Sequence, residues 1–301
     1  MNASFFASLG RALADGAPVC VATVSETRGA VPRHRGAMLW CQIGATSAQM
    51  HGSVGGGLLE ATVLQRAHAL LAAELDADAV AIDLSGKPES AGICGGQVHV
   101  RLKRWQGPSA GARAAALAAA LAAGQTVQLL PNEFGADDLA APLTIAPEPM
   151  LLICGAGHCG QALALQAQLI GFRLAVQDSR ADMLAHAAYA SATILHGDAS
   201  VLRNISAQRP LYAVLLNRDW ASDLACLNVL AEMPPDYVGM MGSRRRVAAV
   251  RSALPDLDRC LPLLDAPLGL ELGAETPEEI AISILARLIQ HRRLNRPHSP
   301  P

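Results

Sequence analysis

The sequence has little that would commit it to a polyanion, a membrane or an oxidising compartment. Its 301 residues hold 24 Lys and Arg against 26 Asp and Glu, a formal charge of −2. Without a broad basic field, nonspecific nucleic-acid binding has no electrostatic driving force. Gly, Gln, Arg or Asp interrupts the apolar stretches before they reach the ~18 residues a membrane span needs. The opening MNASFFASLGRALADG lacks a basic start followed by an apolar run, and reads as an amphipathic helix rather than a signal peptide. The expected location is therefore cytoplasmic, with no nucleic acid and no membrane as partner. Seven cysteines, an odd number with no CxxC among them, point away from a disulfide framework and from a structural zinc site. No metal ligands are expected. Cys20 and Cys226 lie in apolar runs and read as small buried hydrophobes.

The length suits two domains, and the texture changes near residue 148. Residues 1–147 read as an α+β domain. PVCVATVSE and AMLWCQI look like strands flanking the polar, basic loop TRGAVPRHRG. A helix is expected from the end of GSVGGG to about Leu75, then AVAIDL and QVHVRLKRW as strands and an alanine-rich helix at 110–123 ended by Gly124. That helix makes a homodimer plausible or serves as core. Residues 148–301 alternate strand and helix, which defines a doubly wound parallel sheet of Rossmann type. Thr276, Pro277 and Glu279 have the pattern of a capping box before IAISILARLIQ, and NRPHSPP reads as a disordered tail.

Two glycine-rich loops precede helices. In the second, Gly155, Gly157 and Gly160 form G-x-G-x-x-G straight after the strand MLLIC, with His158 between them and a dinucleotide pyrophosphate as the expected ligand. Asp178 closes the next strand, where an acid would bind ribose hydroxyls, and Ser179, Arg180 and Asp198 lie at the same mouth. A dehydrogenase would also need a catalytic acid or base, and none stands out; Asp219 and Asp223 after the fourth strand suit helix caps as well as catalysts. The first loop, Gly52, Ser53, Gly55, Gly56 and Gly57, can offer backbone N–H groups to an anion. Arg28, Arg33 and Arg35 on the basic loop can add charge-assisted forks, and Cys94, between Gly95, Gly96 and another glycine in GICGG, is placed where a thiol can meet a ligand. A structural reading stands beside each: a close-packed turn for the glycines, a solvated loop for the arginines, a buried thiol for Cys94.

Five stretches together resemble the XdhC/CoxI-like family of xanthine dehydrogenase accessory proteins: ETRGAVPRHRGAML, HGSVGGGLLEATV, GICGGQVHV, LLICGAGHCGQALA with VQDSR, and YVGMMGSRRR with PLGLELGAETPEEIAISILARLI. The resemblance implies a carrier of the molybdenum cofactor (molybdopterin) more than an enzyme. Such a protein supports sulfuration with a cysteine desulfurase and delivers the cofactor to an apo molybdenum hydroxylase of xanthine dehydrogenase type. It places Gly242, Ser243 and Arg244 of the GSRRR motif among candidate ligand contacts. Where family members carry a T-H-D-H stretch, this chain has Asn217, Arg218, Asp219 and Trp220, which removes both histidines. The alternatives are an NAD(P)-dependent Rossmann oxidoreductase with the N-terminal domain as a cap, and a nucleotide-sensing regulatory module.

Overall fold

The computed structural model describes residues 2–43, 49–87, 92, 94–137, 139–205, 208–261 and 264–294; the expected tail, 295–301, lies outside them. The chain forms two compact units that divide between Pro147 and Glu148.

The first unit runs α1 (Asn2–Ala14), β1 (Val19–Arg28), β2 (Met38–Gln42), β3 (Gln49–Gly52), α2 (Gly57–Ala72), β4 (Ala77–Asp83), β5 (Gln97–Trp105), α3 (Gly107–Ala122), β6 (Val127–Leu129) and β7 (Leu143–Ile145). Its main sheet has the order β3-β2-β1-β5-β4, antiparallel at every pairing. The first part of the central strand β1, Val19–Ala22, is apolar without a break because helices cover both faces of the sheet there. Successive side chains alternate between faces: Val19 and Val21 join Phe6, Leu9, Leu117 and Leu121 of α1 and α3, while Cys20, Ala22 and Val24 join Leu59, Val63 and Leu70 of α2. Full burial of a side chain such as Leu9 or Leu117 contributes ~1.5–3 kcal/mol. The apolar stripe of α3, Ala114, Leu117 and Leu121, is buried within this unit, so it gives no argument for a dimer. Cys20 is buried against Cys41 across the β1–β2 pair; the thiol–thiol hydrogen bond and burial push the Cys20 thiol far above its usual range.

Helix α2 stops at Ala72 rather than Leu75. Glu74 adopts a left-handed φ of 53°, and the N–H groups of Leu75 and Glu74 return to the carbonyls of Leu70 and Leu71, which closes the helix early.

The second unit runs β8 (Met150–Cys154), α4 (His158–Leu169), β9 (Arg173–Asp178), α5 (Ala181–Leu184), β10 (Thr193–His196), β11 (Leu211–Leu215), α6 (Trp220–Glu232), β12 (Tyr237–Met240), α7 (Arg244–Ala253), α8 (Leu257–Cys260), β13 (Leu264–Asp265) and α9 (Pro277–Leu294). All pairings of its six-stranded sheet are parallel, in the order β10-β9-β8-β11-β12-β13. Counted within the unit this is 3-2-1-4-5-6, the order of dinucleotide-binding Rossmann sheets, with the reversal between β8 and β11. Leu151 and Ile153 face Leu163, Ile284 and Leu288 on one side; Leu152 and Cys154 face Cys226, Leu227 and Val247 on the other. The capping box forms: Glu279 N–H donates to Thr276 Oγ1 at 3.3 Å, and Thr276 N–H donates to Glu279 Oε2 at 3.1 Å. Among the described residues no helix is long and apolar enough to cross a membrane.

Candidate functional site

In the first unit, three separate stretches meet at one end of the sheet, and glycines let them do so. The loop between β1 and β2 lies on Gly95 and Gly96, where a Cβ on Gly29 would sit 3.0 Å from the Gly95 carbonyl oxygen and one on Gly96 would overlap the carbonyls of Arg28 and Ala30. The same loop reaches GSVGGG, where a Cβ on Gly55 would come within 2.8 Å of Pro32 Cγ. Close backbone approach of this kind excludes any larger residue at 96. Arg28 is in register with Gln97 across β1 and β5, and Gly95 N–H and Leu84 N–H bond Leu84 and Gly96 carbonyls at 2.7 and 2.8 Å. Arg28, Arg33, Arg35 and Cys94 are all exposed. None of the three arginines forms an ion pair among the described residues.

The glycine loop itself is not an empty cradle. Glu60, in the first turn of α2, turns back so that its Oε2 accepts from Ser53 Oγ at 2.7 Å, Val54 N–H at 3.2 Å and Gly56 N–H at 3.4 Å. Gly55 N–H donates to Ser53 Oγ at 3.2 Å. Of the backbone donors expected to meet a ligand, Gly56 N–H therefore meets the chain's own carboxylate and Gly55 N–H meets Ser53. Gly55, Gly56 and Gly57 have φ of 147°, 75° and 57°, a left-handed run that only glycine adopts readily. No side chain caps α2 at Gly56, so the first-turn N–H groups from Gly57 onward are the donors left for an external anion. Gly52 is held by close approach to the Met38 carbonyl. Sequence reasoning missed Glu60; an acidic residue in the first helical turn after a glycine loop was the available signal.

In the second unit, Gly155 packs on the end of β11, where a Cβ would lie 2.8 Å from Leu216 O, and Gly160 abuts Gly155 O. Gly157 is different: its φ is −71° and a Cβ would meet nothing within 4 Å. The chain itself does not need glycine there; an approaching ligand would. His158, exposed, opens α4. Asp178, expected on ribose, is already engaged. Its Oδ2 accepts from Ala156 N–H at 2.8 Å, and Arg180 grips both oxygens at 2.9 and 2.7 Å. Burial alone would raise the Asp178 carboxyl, but Arg180 and the Ala156 N–H outweigh it and hold the group down to about 2. Ser179 accepts from His196 through its carbonyl, and Asp198 caps the turn that follows β10 by accepting from Ser200 N–H at 2.9 Å.

The GSRRR motif divides by helical phase. Ser243 caps α7, accepting from Arg246 N–H at 3.3 Å; Gly242 lies against Arg246 Cδ. Arg244 and Arg245 are exposed. Arg246 instead turns inward onto Asp223, which is fully buried; burial pushes the Asp223 carboxyl up against the opposing pull of Arg246 and Asn217. Asp219 caps α6 by accepting from Ser222 N–H at 2.8 Å. Both acids after the fourth strand are thus structural.

The fold and its glycine loops define a two-unit protein with a Rossmann domain and a second, separately built loop cluster. Family models match at both ends: residues 151–288 match the XdhC Rossmann domain and residues 12–77 match the XdhC and CoxI family. The chain belongs to the XdhC and CoxI family. It is 26% identical to the uncharacterized Escherichia coli (strain K12) protein YqeB, over 91% of this chain and 43% of that protein. It is 30% identical to a Bacillus subtilis (strain 168) protein named as a probable xanthine dehydrogenase subunit, over 50% of this chain and 44% of that one. The chain thus spans less than half the length of these curated relatives. A solved Bacillus halodurans structure described as a xanthine dehydrogenase shares the fold, with a TM-score of 0.81, 24% identity and 98% of each chain covered.

Proposed function

We propose that this chain is an accessory protein of a xanthine-dehydrogenase-type molybdenum hydroxylase that binds the molybdenum cofactor, supports its sulfuration with a cysteine desulfurase and delivers it to the apo-enzyme. The observation that supports this reading is the approach of the β1–β2 loop to Gly55 through Pro32 and to Gly95 and Gly96 through Gly29, in a unit where Arg28, Arg33, Arg35 and Cys94 are exposed. Family membership and the name of the Bacillus subtilis relative support it. These residues fit an anionic ligand with a sulfur-held metal: the arginines suit its phosphate or oxo groups, the N–H groups at the start of α2 add a weak positive field, and Cys94 is a solvent-accessible thiol. When bound, the cofactor supplies the oxygen and sulfur chemistry of the hydroxylase. This chain's residues only hold it, and a cluster without a closed ligand set suits release.

The test is purification from cells that make the cofactor, followed by assay of bound pterin and molybdenum and of NAD(P)H turnover. Pterin retention by the wild type, reduced in Cys94→Ser and in the triple replacement of Arg28, Arg33 and Arg35 by Ala, is the expected outcome. Turnover of NAD(P)H without bound pterin would replace this reading with the oxidoreductase.

A further inference from the structure

Beyond the end of β11, residues 217–220 and the start of α7 flank a shallow, open cleft of about 540 Å³. Its walls carry Arg218, Asp219 and Trp220 on one side and Ser243, Arg245 and Arg246 on the other. No residue of the 155–160 loop lines it.

Three of these side chains build the wall. Arg246 is a strut: beside its pairing with buried Asp223, it donates to the carbonyls of Asn217 at 3.0 Å, Arg218 at 3.2 Å and Asp219 at 2.8 Å. The Asp219 carboxylate is held by Ser222, and Ser243 caps α7. The other three have no internal bond among the described residues. Arg218 and Arg245 are exposed and form no ion pair among the described residues. Trp220 is 51% exposed, although a large indole usually finds extensive burial.

Two free guanidinium groups offer forked donors to phosphate oxygens, and a half-exposed indole offers a face on which a planar base stacks. The one acid in the wall, Asp219, is outnumbered by Arg218 and Arg245 and occupied by Ser222. We propose that this cleft binds a nucleoside 5′-monophosphate, with its base against Trp220 and its phosphate between Arg218 and Arg245. The site is independent of the N-terminal loop cluster and of the reading built on it.

The chain carries its own reporter. Trp40 and Trp105 are each 5% exposed, with their indole N–H groups bonded to Ser8 Oγ and the Glu133 carbonyl, so quenching by a ligand reads Trp220. Titration of the full chain with AMP, GMP, adenosine and inorganic phosphate is the experiment. Saturable quenching by AMP or GMP is expected, with adenosine and phosphate weaker by about tenfold or more. Arg218→Ala and Arg245→Ala should each weaken the nucleotide by about tenfold with unchanged circular dichroism. By calorimetry, Trp220→Ala should lose affinity and Trp220→Phe should recover part of it. Absence of saturation by either nucleotide, adenosine binding as well as AMP, phosphate binding as well as AMP, or indifference to both arginine replacements would each overturn the proposal. So would loss of binding in Gly157→Ala, because the ligand would then lie at the glycine loop.

Discussion

In the loop at 52–57, the backbone donors of Val54 and Gly56 point at Glu60, only four residues beyond Gly56; in the loop at 154–160, the Ala156 N–H points at Asp178, which belongs to the next strand and is clamped by Arg180. Each loop thus has an internal anion, but the two are wired differently. The first is a local device, complete within residues 53–60. The second depends on the sheet, because β9 must pair with β8 before Asp178 reaches Ala156. A third anchor, Asp223 with Arg246, again joins residues of different elements and fastens the 217–219 run to α7. Loss of a local carboxylate should perturb one loop, whereas loss of a long-range one should loosen the Rossmann unit as a whole.

The largest effect is expected at Asp223. Asp223→Ala leaves a half-buried guanidinium facing only carbonyls, and removal of one partner of a buried pair costs about 3–5 kcal/mol. Urea unfolding followed by tryptophan emission should show early loss of the Trp220 signal while buried Trp40 and Trp105 of the first unit respond later. A single shifted transition for all three would break the contrast between the units.

Asp178 comes next. Its folded pKa, about 2, lies below the ordinary 3.8 of an aspartate. A depressed carboxylate contributes stability that is present above the unfolded pKa and is lost as pH falls through the folded one, here between about pH 4 and 2. Asp178→Asn should remove about 2 kcal/mol at neutral pH and flatten that acid limb. Stability measured against pH, with an unchanged slope in the variant, would remove Arg180 and Ala156 as the cause.

Glu60→Gln keeps an acceptor at the glycine loop but removes its charge, and should cost about 1 kcal/mol. Glu60→Ala should cost more and, by freeing Val54 and Gly56, increase retention of sulfate or phosphate in equilibrium dialysis. Unchanged anion retention would mean that the loop is a packed turn alone.

What the sequence disclosed was what local rules and pattern control. The strand–helix alternation after Met150, the glycine turn after MLLIC and the box at Thr276 and Glu279 each depend on neighbours in the chain, and each is found as expected. The partners of Glu60 and Asp178 were not legible, because the same carboxylates at a helix start or strand end could equally face a ligand. Nor was the packing of Gly29 on Gly95 and Gly96, where residues some 66 positions apart touch backbone to backbone. Arg244, Arg245 and Arg246 are identical letters; only the phase of α7 turns the third onto Asp223 and leaves the others in solvent.

Within the first unit the smallest effect is expected, where α2 and α3 end by the same backbone closure with different residues. After α3, Gly124 has φ 92°, and Gly124 and Gln125 N–H groups return to Leu121 and Ala120 at 3.1 and 2.9 Å. After α2, Glu74 takes that position at φ 53°, the one non-glycine positive φ among the described residues. A left-handed residue with a Cβ costs about 1–2 kcal/mol, whereas glycine adds about 0.4–1 kcal/mol of unfolded-state entropy to be lost on folding. Glu74→Gly should therefore stabilise the chain by about 0.5–1 kcal/mol, and Gly124→Ala should destabilise it by a similar amount, both read as opposite shifts in thermal midpoint. If Glu74→Gly lowers the midpoint, the Glu74 side chain, rather than the backbone closure it interrupts, holds the end of α2.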